Sequence, residues 1–424
     1  MIRIKFLVCV VLMLTSSVNA NWTQFRGPGG QGHSDATDLP VKWSETKNVK
    51  WKTAIHDLGW SSPVVFGDQI WLTTATKDGK QMFVVCVDRN NGKILLDRKL
   101  HDNANPEPLG NSTNCYGSPT PVIEDGRVYI HFGSYGTTCI NTKTFDQIWQ
   151  RTDLPCLHYR GPGSSPIIFE KTLILTMDGI DHQYMVALDK TNGQEVWKKD
   201  RGTDFGDLQP DGKPRANGDF RKAYCTPIIV KVDGKLQMII PSSKAAYAYD
   251  PRTGKEIWKV RYKGFSNASM TVYGGGLAFV NTGFGKPDLW AVKPNATGDI
   301  TNSHVAWKLR RNVPKKPSPL LIGEHLFMCD DGGVASCVEA KTGKQVWTNR
   351  IGGRAAKYSS SPLYAGGHVY YGSEGGVTTV IKPNTKKFEL VAENKLDAGF
   401  MASPAAVGKA LYLRTKTHLY RIEK

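Results

Sequence analysis

The chain has 424 residues, of which 40% are hydrophobic and 22% charged, with 43 glycines, 23 prolines and 11 tryptophans. That balance excludes a disordered chain, a collagen and a coiled coil, and describes a folded, turn-rich protein with ample apolar residues for a core. The formal net charge of +17 favours anionic partners, but no Lys/Arg block of the kind that grips nucleic acid occurs, so no nucleic acid is expected.

At the N-terminus, Arg3 and Lys5 precede an apolar run from Phe6 to Leu14, followed by Ser16, Ser17 and Val18-Asn19-Ala20. This is the pattern of a cleavable secretory leader over residues 1–20, with a periplasmic or secreted mature chain from Asn21. The run falls short of the roughly 20 apolar residues that span a bilayer, and position 21 is Asn where a lipid would need Cys. Neither a transmembrane span nor a lipid anchor is expected. Residues 21–47 read as an N-terminal arm. Its Gly27, Gly29 and Gly32 match a dinucleotide-type glycine spacing, yet no strand precedes them and no helix follows, so they read as a loop.

Beyond the arm the chain repeats. Small-polar tags ending at Pro63, Pro121, Pro166, Pro227, Met270, Pro319, Pro362 and Pro404 recur about every 49 residues. An apolar residue stands seven positions after the tag in seven units (Ile70, Val128, Leu173, Leu277, Leu326, Val369, Leu411), and two residues later in the unit of Pro227, at Leu236. Each unit therefore opens with a hairpin. A third apolar strand follows, then a turn such as Asp189-Lys190-Thr191-Asn192-Gly193 or Glu339-Ala340-Lys341-Thr342-Gly343, then a fourth strand with Trp four residues after the Gly. The Gly supplies the positive φ that this turn demands, and the acidic side chain bonds the turn backbone.

Four strands per unit and eight units predict an all-β, eight-bladed β-propeller of four-stranded antiparallel blades, one domain over residues 48–424. The last unit stops after a third strand, Thr417 to Ile422, so Asn48 to Ile55 is expected to complete the eighth blade and close the ring. Trp51, Trp149, Trp197, Trp258, Trp307 and Trp347 are expected to dock one blade on the next through buried aromatic area.

The Ser-Ser-Pro tag with Asp-x-x-Thr-Gly-x-x-x-Trp resembles the pyrroloquinoline-quinone-type propeller repeat, and the stretch from Trp22 to Pro28 is similar to the N-terminal arm of secreted bacterial members. The resemblance covers nearly all of the mature chain. The family includes quinoprotein dehydrogenases and the propeller lipoprotein of the outer-membrane barrel-assembly machinery. In the dehydrogenases it implies an adjacent-cysteine disulfide over the cofactor, a calcium ion held by Glu, Asn and Asp, and a further Asp as base. This chain has no Cys-Cys pair, and only insertions at about residues 102–114 and 202–220 with which to build a lid. No cofactor is therefore expected, and no catalytic residue is assigned. The alternative is a small quinone-dependent alcohol or sugar dehydrogenase binding pyrroloquinoline quinone with calcium.

Cys86, Cys139 and Cys337 occupy the slot that Ala187, Ala248 and Ala291 hold in other units, and read as small core residues. Cys115 and Cys156, on neighbouring blades, are the pair expected to form a disulfide if one forms in an oxidising compartment. Without Cys-x-x-Cys or a His pair at ligand spacing, no metal site is expected. Asp178 with Asp181 and His182, and Asp330 with Asp331, read as polar turns or as cation ligands.

In a propeller the segments that enter the innermost strands converge on one mouth of the central channel. These segments carry Trp60, Tyr116, Tyr159, Arg160, Arg221, Lys222, Tyr224, Phe265, Asn267, Lys315, Lys316, Arg354, Lys357, Tyr358 and Phe400. Aromatic and basic residues recur blade after blade. Such a mouth stacks a planar or sugar-like body and attracts carboxylates or phosphates. The expectation is a monomeric, non-catalytic binding or scaffold protein for an anionic small molecule or an envelope protein.

Overall fold

The computed structural model describes residues 21–110 and 112–424; the leader expected over residues 1–20 lies outside them. Among the described residues the strands form eight sheets arranged as a propeller. Blade 1 runs outward from the channel as Val64–Phe66, Gln69–Ala75, Gln81–Asp88 and Ile94–Asp102. The innermost strand has three residues there, but five in blade 4, Ile228–Val232, which accounts for the longer spacing after Pro227. Blade 8 is composite: Val49–Ala54 pairs antiparallel with His418–Ile422 and closes the ring as the sequence predicts. Blade 4 exceeds the expectation by a fifth short strand, Gly298–Asp299, which pairs parallel with Glu256–Arg261 and places Gly298 beside the fully buried Trp258.

Position within a blade explains the sequence pattern. The middle strands Gln69–Ala75 and Gln81–Asp88 are packed on both faces by neighbouring blades and read as nearly continuous apolar runs, whereas the outer strand Ile94–Asp102 alternates. The small third-strand residue lies directly across from the Trp: Ala187 opposite Trp197, Ala248 opposite Trp258, Ala291 opposite Trp307, Cys139 opposite Trp149 and Cys337 opposite Trp347. Blade 7 reverses the sizes, with Val380 opposite Ala392. A bulky residue on one strand thus takes the volume its partner leaves, as close packing requires.

Four of the six tryptophans reach the next blade by a hydrogen bond. Trp51 Nε1 donates to Arg89 O at 3.0 Å, Trp149 to Lys190 O at 3.1 Å, Trp307 to Ala340 O at 3.0 Å and Trp347 to Asn384 O at 2.9 Å. For Trp51, Trp149 and Trp307 the turn glycine of that next blade (Gly92, Gly193, Gly343) lies under the indole, whereas Trp347 meets Phe388 edge to face at 5.5 Å. A Cβ at Gly193 would sit 2.8 Å from the Trp149 ring, so this position needs Gly for space as well as for its φ of 75°. Trp197 packs the same way over Gly254 without an indole hydrogen bond among the described residues, and Trp258 turns into its own blade to donate to Gln237 Oε1. Gln237 Nε2 then donates to Pro294 O in blade 5, so that docking is relayed.

The arm crosses the ring at the ends of the innermost strands. Trp22 pairs with Val65, Thr23 O accepts from Ile123 N–H, Tyr273 N–H donates to Gln31 Oε1, Gly32 and Ser34 bond Tyr364, and Ser34 Oγ donates to Ala406 O. Blades 1, 2, 5, 7 and 8 are thereby tied from below. Gly27, Gly29 and Gly32 all have positive φ around a short 3-10 turn, Pro28–Gly30, and serve as loop. Arg26 is buried and its Nη2 donates to Pro319 O of blade 6 at 2.6 Å.

Candidate functional site

The tags build the throat of the channel. Each hydroxyl residue before the proline accepts a hydrogen bond from the backbone N–H of the tag in the preceding blade. Ser62 N–H donates to Thr120 Oγ1, Thr120 N–H to Ser165 Oγ and Ser165 N–H to Thr226 Oγ1, each at 2.9 Å. Met270 N–H donates to Ser318 Oγ at 3.0 Å, Ser318 N–H to Ser361 Oγ and Ser361 N–H to Ser403 Oγ at 2.9 Å, and Ser403 N–H to Ser62 Oγ at 3.0 Å. Between blades 4 and 5 the ring is interrupted, and Tyr224 N–H bonds Asn267 O instead.

Above this ring lies a cavity of about 480 Å³, floored by Phe25 of the arm and walled by Trp60, Tyr224, Phe265 and Phe284. Its charged lining is Arg160, Asp219, Lys315, Lys316 and Asp331. Phe265 meets Phe284 edge to face at 6.1 Å and Phe220 at 5.0 Å. The two insertions shape the rim. Glu107 accepts the N–H groups of His158 and Tyr159 at 3.0 and 2.8 Å, and Asn114 Nδ2 donates to Arg160 O at 2.8 Å, holding the left-handed Tyr159-Arg160 turn. Asp219 of the second insertion then pairs with Arg160 at 3.3 Å.

Most of the cations expected at the mouth are already neutralised or placed elsewhere. Arg221 turns into the second insertion to pair with Asp207 at 2.8 Å, and Lys316 bridges Glu374 at 3.2 Å and Asp331 at 3.6 Å. Glu374 is held below the usual carboxylate range by Ser359 and Lys316, against a desolvation that opposes it. Lys222 is sealed in the core beside His158, its Nζ 3.1 Å from Nδ1, and desolvation lowers its pKa. Arg354 and Lys357 are exposed and do not line the cavity. Among the described residues, Lys315 is the lining cation without a carboxylate partner; its Nζ lies 5.0 Å from the Phe284 ring centroid.

Of the residues expected at the mouth, Trp60, Arg160, Tyr224, Phe265, Lys315 and Lys316 line the cavity. Tyr116, Asn267, Tyr358 and Phe400 are buried and pack the blade tops. Tyr116 donates to Glu107 O, and Asn267 Nδ2 donates to Tyr262 OH and Asn281 O. Tyr358 N–H donates to Asp331 O, and Phe400 packs on Gly372. Tyr159 is half-buried beside the rim. The sequence reading overlooked Phe25, Asp219 and Phe284, and singled out Asp331 without placing it at the mouth. Its own tags held the signal for the throat, because a hydroxyl before each proline on a closed ring has a neighbouring N–H to accept.

The expected Cys115–Cys156 disulfide is corrected: both are free, buried thiols. Cys115 Sγ lies 3.4 Å from Ser118 Oγ and Cys156 Sγ 3.7 Å from His158 Nδ1, so each is packed into its own blade. Burial pushes Cys115 up to about 11 and raises Cys156 further from reactivity. The acidic clusters serve as structure. Asp178 forms a buried bidentate pair with Arg201 at 2.8 and 2.9 Å, Asp181 accepts from Leu157 N–H, and Asp330 accepts from Gly332 and Val334 N–H.

The quinone implied by the family resemblance needs a calcium ion held by carboxylates. Among the described residues no group of three or more His, Cys, Asp or Glu could hold a metal ion. The cavity's carboxylates are spent: Asp219 on Arg160, and Asp331 on Lys316 and on the N–H groups of Lys315 and Lys316. The residues present do not fit a calcium-held quinone.

The chain is 22% identical over 265 residues to tetrathionate hydrolase of Acidithiobacillus ferrooxidans, a match that spans 57% of this chain and only half the length of that protein. Among solved structures it is similar to BamB from Moraxella catarrhalis, with a TM-score of 0.58 at 12% identity over 88% of this chain and 99% of the other. It is also similar to a europium-containing methanol dehydrogenase, with a TM-score of 0.67 at 11% identity over 94% and 90%. At such identities the structural likeness shows the propeller alone. The family model PQQ_2, described as outer membrane protein assembly factor BamB, matches residues 41–206 and 181–424, and the chain belongs to that family.

Proposed function

We propose that this protein is a periplasmic or secreted, non-catalytic binding propeller that holds a small organic anion in its channel mouth. The observation that carries the reading is the cavity of about 480 Å³ in which Lys315, free of any carboxylate among the described residues, stands over Phe284 and shares the lining with Trp60 and Phe265. That volume is within the small-molecule range, and aromatic walls with one unpaired ammonium suit a flat or ring-shaped body bearing an acidic group. The family description and the secretory pattern of residues 1–20 support an envelope location.

The test is a fluorescence and thermal-shift titration of the mature protein with pyrroloquinoline quinone, a planar tricarboxylate, with and without calcium. Saturable binding that is indifferent to calcium, weakened several-fold by Lys315→Met and unaffected by Arg354→Ala, is expected. Calcium-dependent binding together with alcohol-dependent reduction of a redox dye would replace this reading with an oxidoreductase.

A further inference from the structure

Each throat hydroxyl that accepts a backbone N–H keeps its own proton to give. For Ser62, Thr120, Ser165, Thr226 and Ser403 no acceptor for that proton occurs among the described residues, and all five line the cavity. These residues follow one another around the channel in blades 8, 1, 2, 3 and 4. Accepting a hydrogen bond polarises a hydroxyl and strengthens its donation, so the arc is a row of reinforced O–H donors.

Two buried cations flank the same ring. Arg26 donates to the carbonyl of Pro319, the residue after Ser318, and Arg414 Nη1 donates to Ser61 O and Oγ and to Thr73 O, next to Ser62. Neither has a carboxylate partner among the described residues, and both are buried. Desolvation pushes Arg26 down to about 9 and Arg414 to about 10, which leaves both charged at neutral pH. Uncompensated buried charge raises the potential at the base of the cavity.

We propose that the tag hydroxyls form an anion-receiving collar, so that a ligand enters acid end first, its carboxylate or sulfonate against Thr120, Ser165 and Thr226 and its apolar body against Phe265 and Phe284. This rests on the channel reading above and adds the orientation and the end group. Ligands ending in an ammonium group are rejected at the collar, because the donor arc and the two guanidinium groups oppose a cation.

The probes are 1-anilinonaphthalene-8-sulfonate, its neutral parent N-phenyl-1-naphthylamine, and a naphthylamine ending in a quaternary ammonium, each titrated by fluorescence into the mature protein. The wild type is expected to bind the sulfonate about 10-fold or more tightly than the neutral parent, and the cation least of all. Thr120→Val with Thr226→Val is expected to remove most of that preference while leaving the neutral probe unchanged. Equal wild-type affinity for the sulfonate and the neutral parent overturns the collar, and needs no variant to fold. If Phe265→Ala weakens every probe but the Thr→Val pair weakens none, the collar fails and the channel reading stands. If Phe265→Ala weakens none of them, the channel reading fails and the collar with it.

Discussion

Ser403 N–H donates to Ser62 Oγ at 3.0 Å, joining residues 341 apart in the chain and fastening the last blade to the first at the throat. The same blades are fastened again at the rim by Trp51, which the strand Val49–Ala54 of blade 8 sets over Gly92 of blade 1. Closure is therefore made at two radii. Ser62→Ala leaves the Ser403 N–H buried without an acceptor, and should lower the unfolding free energy by about 1–3 kcal/mol in urea titrations.

Gly193 and Gly234 separate two effects of glycine. Both have positive φ, 75° and 80°, but a Cβ at Gly193 meets the Trp149 ring at 2.8 Å, whereas one at Gly234 meets nothing within 4 Å. Gly234→Ala should cost about 1 kcal/mol of backbone strain. Gly193→Ala should cost at least about 1 kcal/mol more, because the indole must move. Equal midpoints in denaturation would show that the Trp does not depend on the turn.

Stability should fall on mild acidification. Burial pushes His131 down to about 3 and His101 to about 4, from an ordinary value of 6.5. Both are neutral in the fold and protonate readily once unfolded, so their contribution is complete above pH 6.5 and is lost as pH falls towards 4. Each contributes a slope of about 1.4 kcal/mol per pH unit in that window. His131→Gln should flatten the profile between pH 6 and pH 4 by about one such slope, as read from urea unfolding at a series of pH values.

The thiols should be silent until the protein unfolds. All seven cysteines among the described residues are free and buried, and burial raises Cys139 and Cys337 to about 12. Ellman's reagent should titrate none of these seven rapidly in the native protein and all seven in guanidinium. A loss of two hydrogens in the intact mass, mapped to Cys115 and Cys156, would restore the disulfide.

The fold was legible because its determinants are local and repeated. Tag, hairpin, turn glycine and Trp sit at fixed offsets, and a unit that cannot bury its faces alone must stack on a copy of itself. The mouth was half legible. Lys315 and Phe265 could be assigned from their place before an innermost strand, whereas Lys222 and Tyr358 occupy the same kind of place and are buried. Strand order decides which segments meet at the mouth, but side-chain direction depends on neighbours from other blades.

Charge shows the limit most clearly. By itself the sequence determined the propeller, the blade count, the strand that closes the ring and the basic character of the chain. Only the tertiary structure decided which cations remain available, because Arg160, Arg221 and Lys316 find Asp219, Asp207 and Glu374 across loops. It likewise decided that Arg26 and Arg414 stand buried beside the throat without counter-charge among the described residues. A charge's effect is set by distance and dielectric, and both are properties of the folded arrangement rather than of composition.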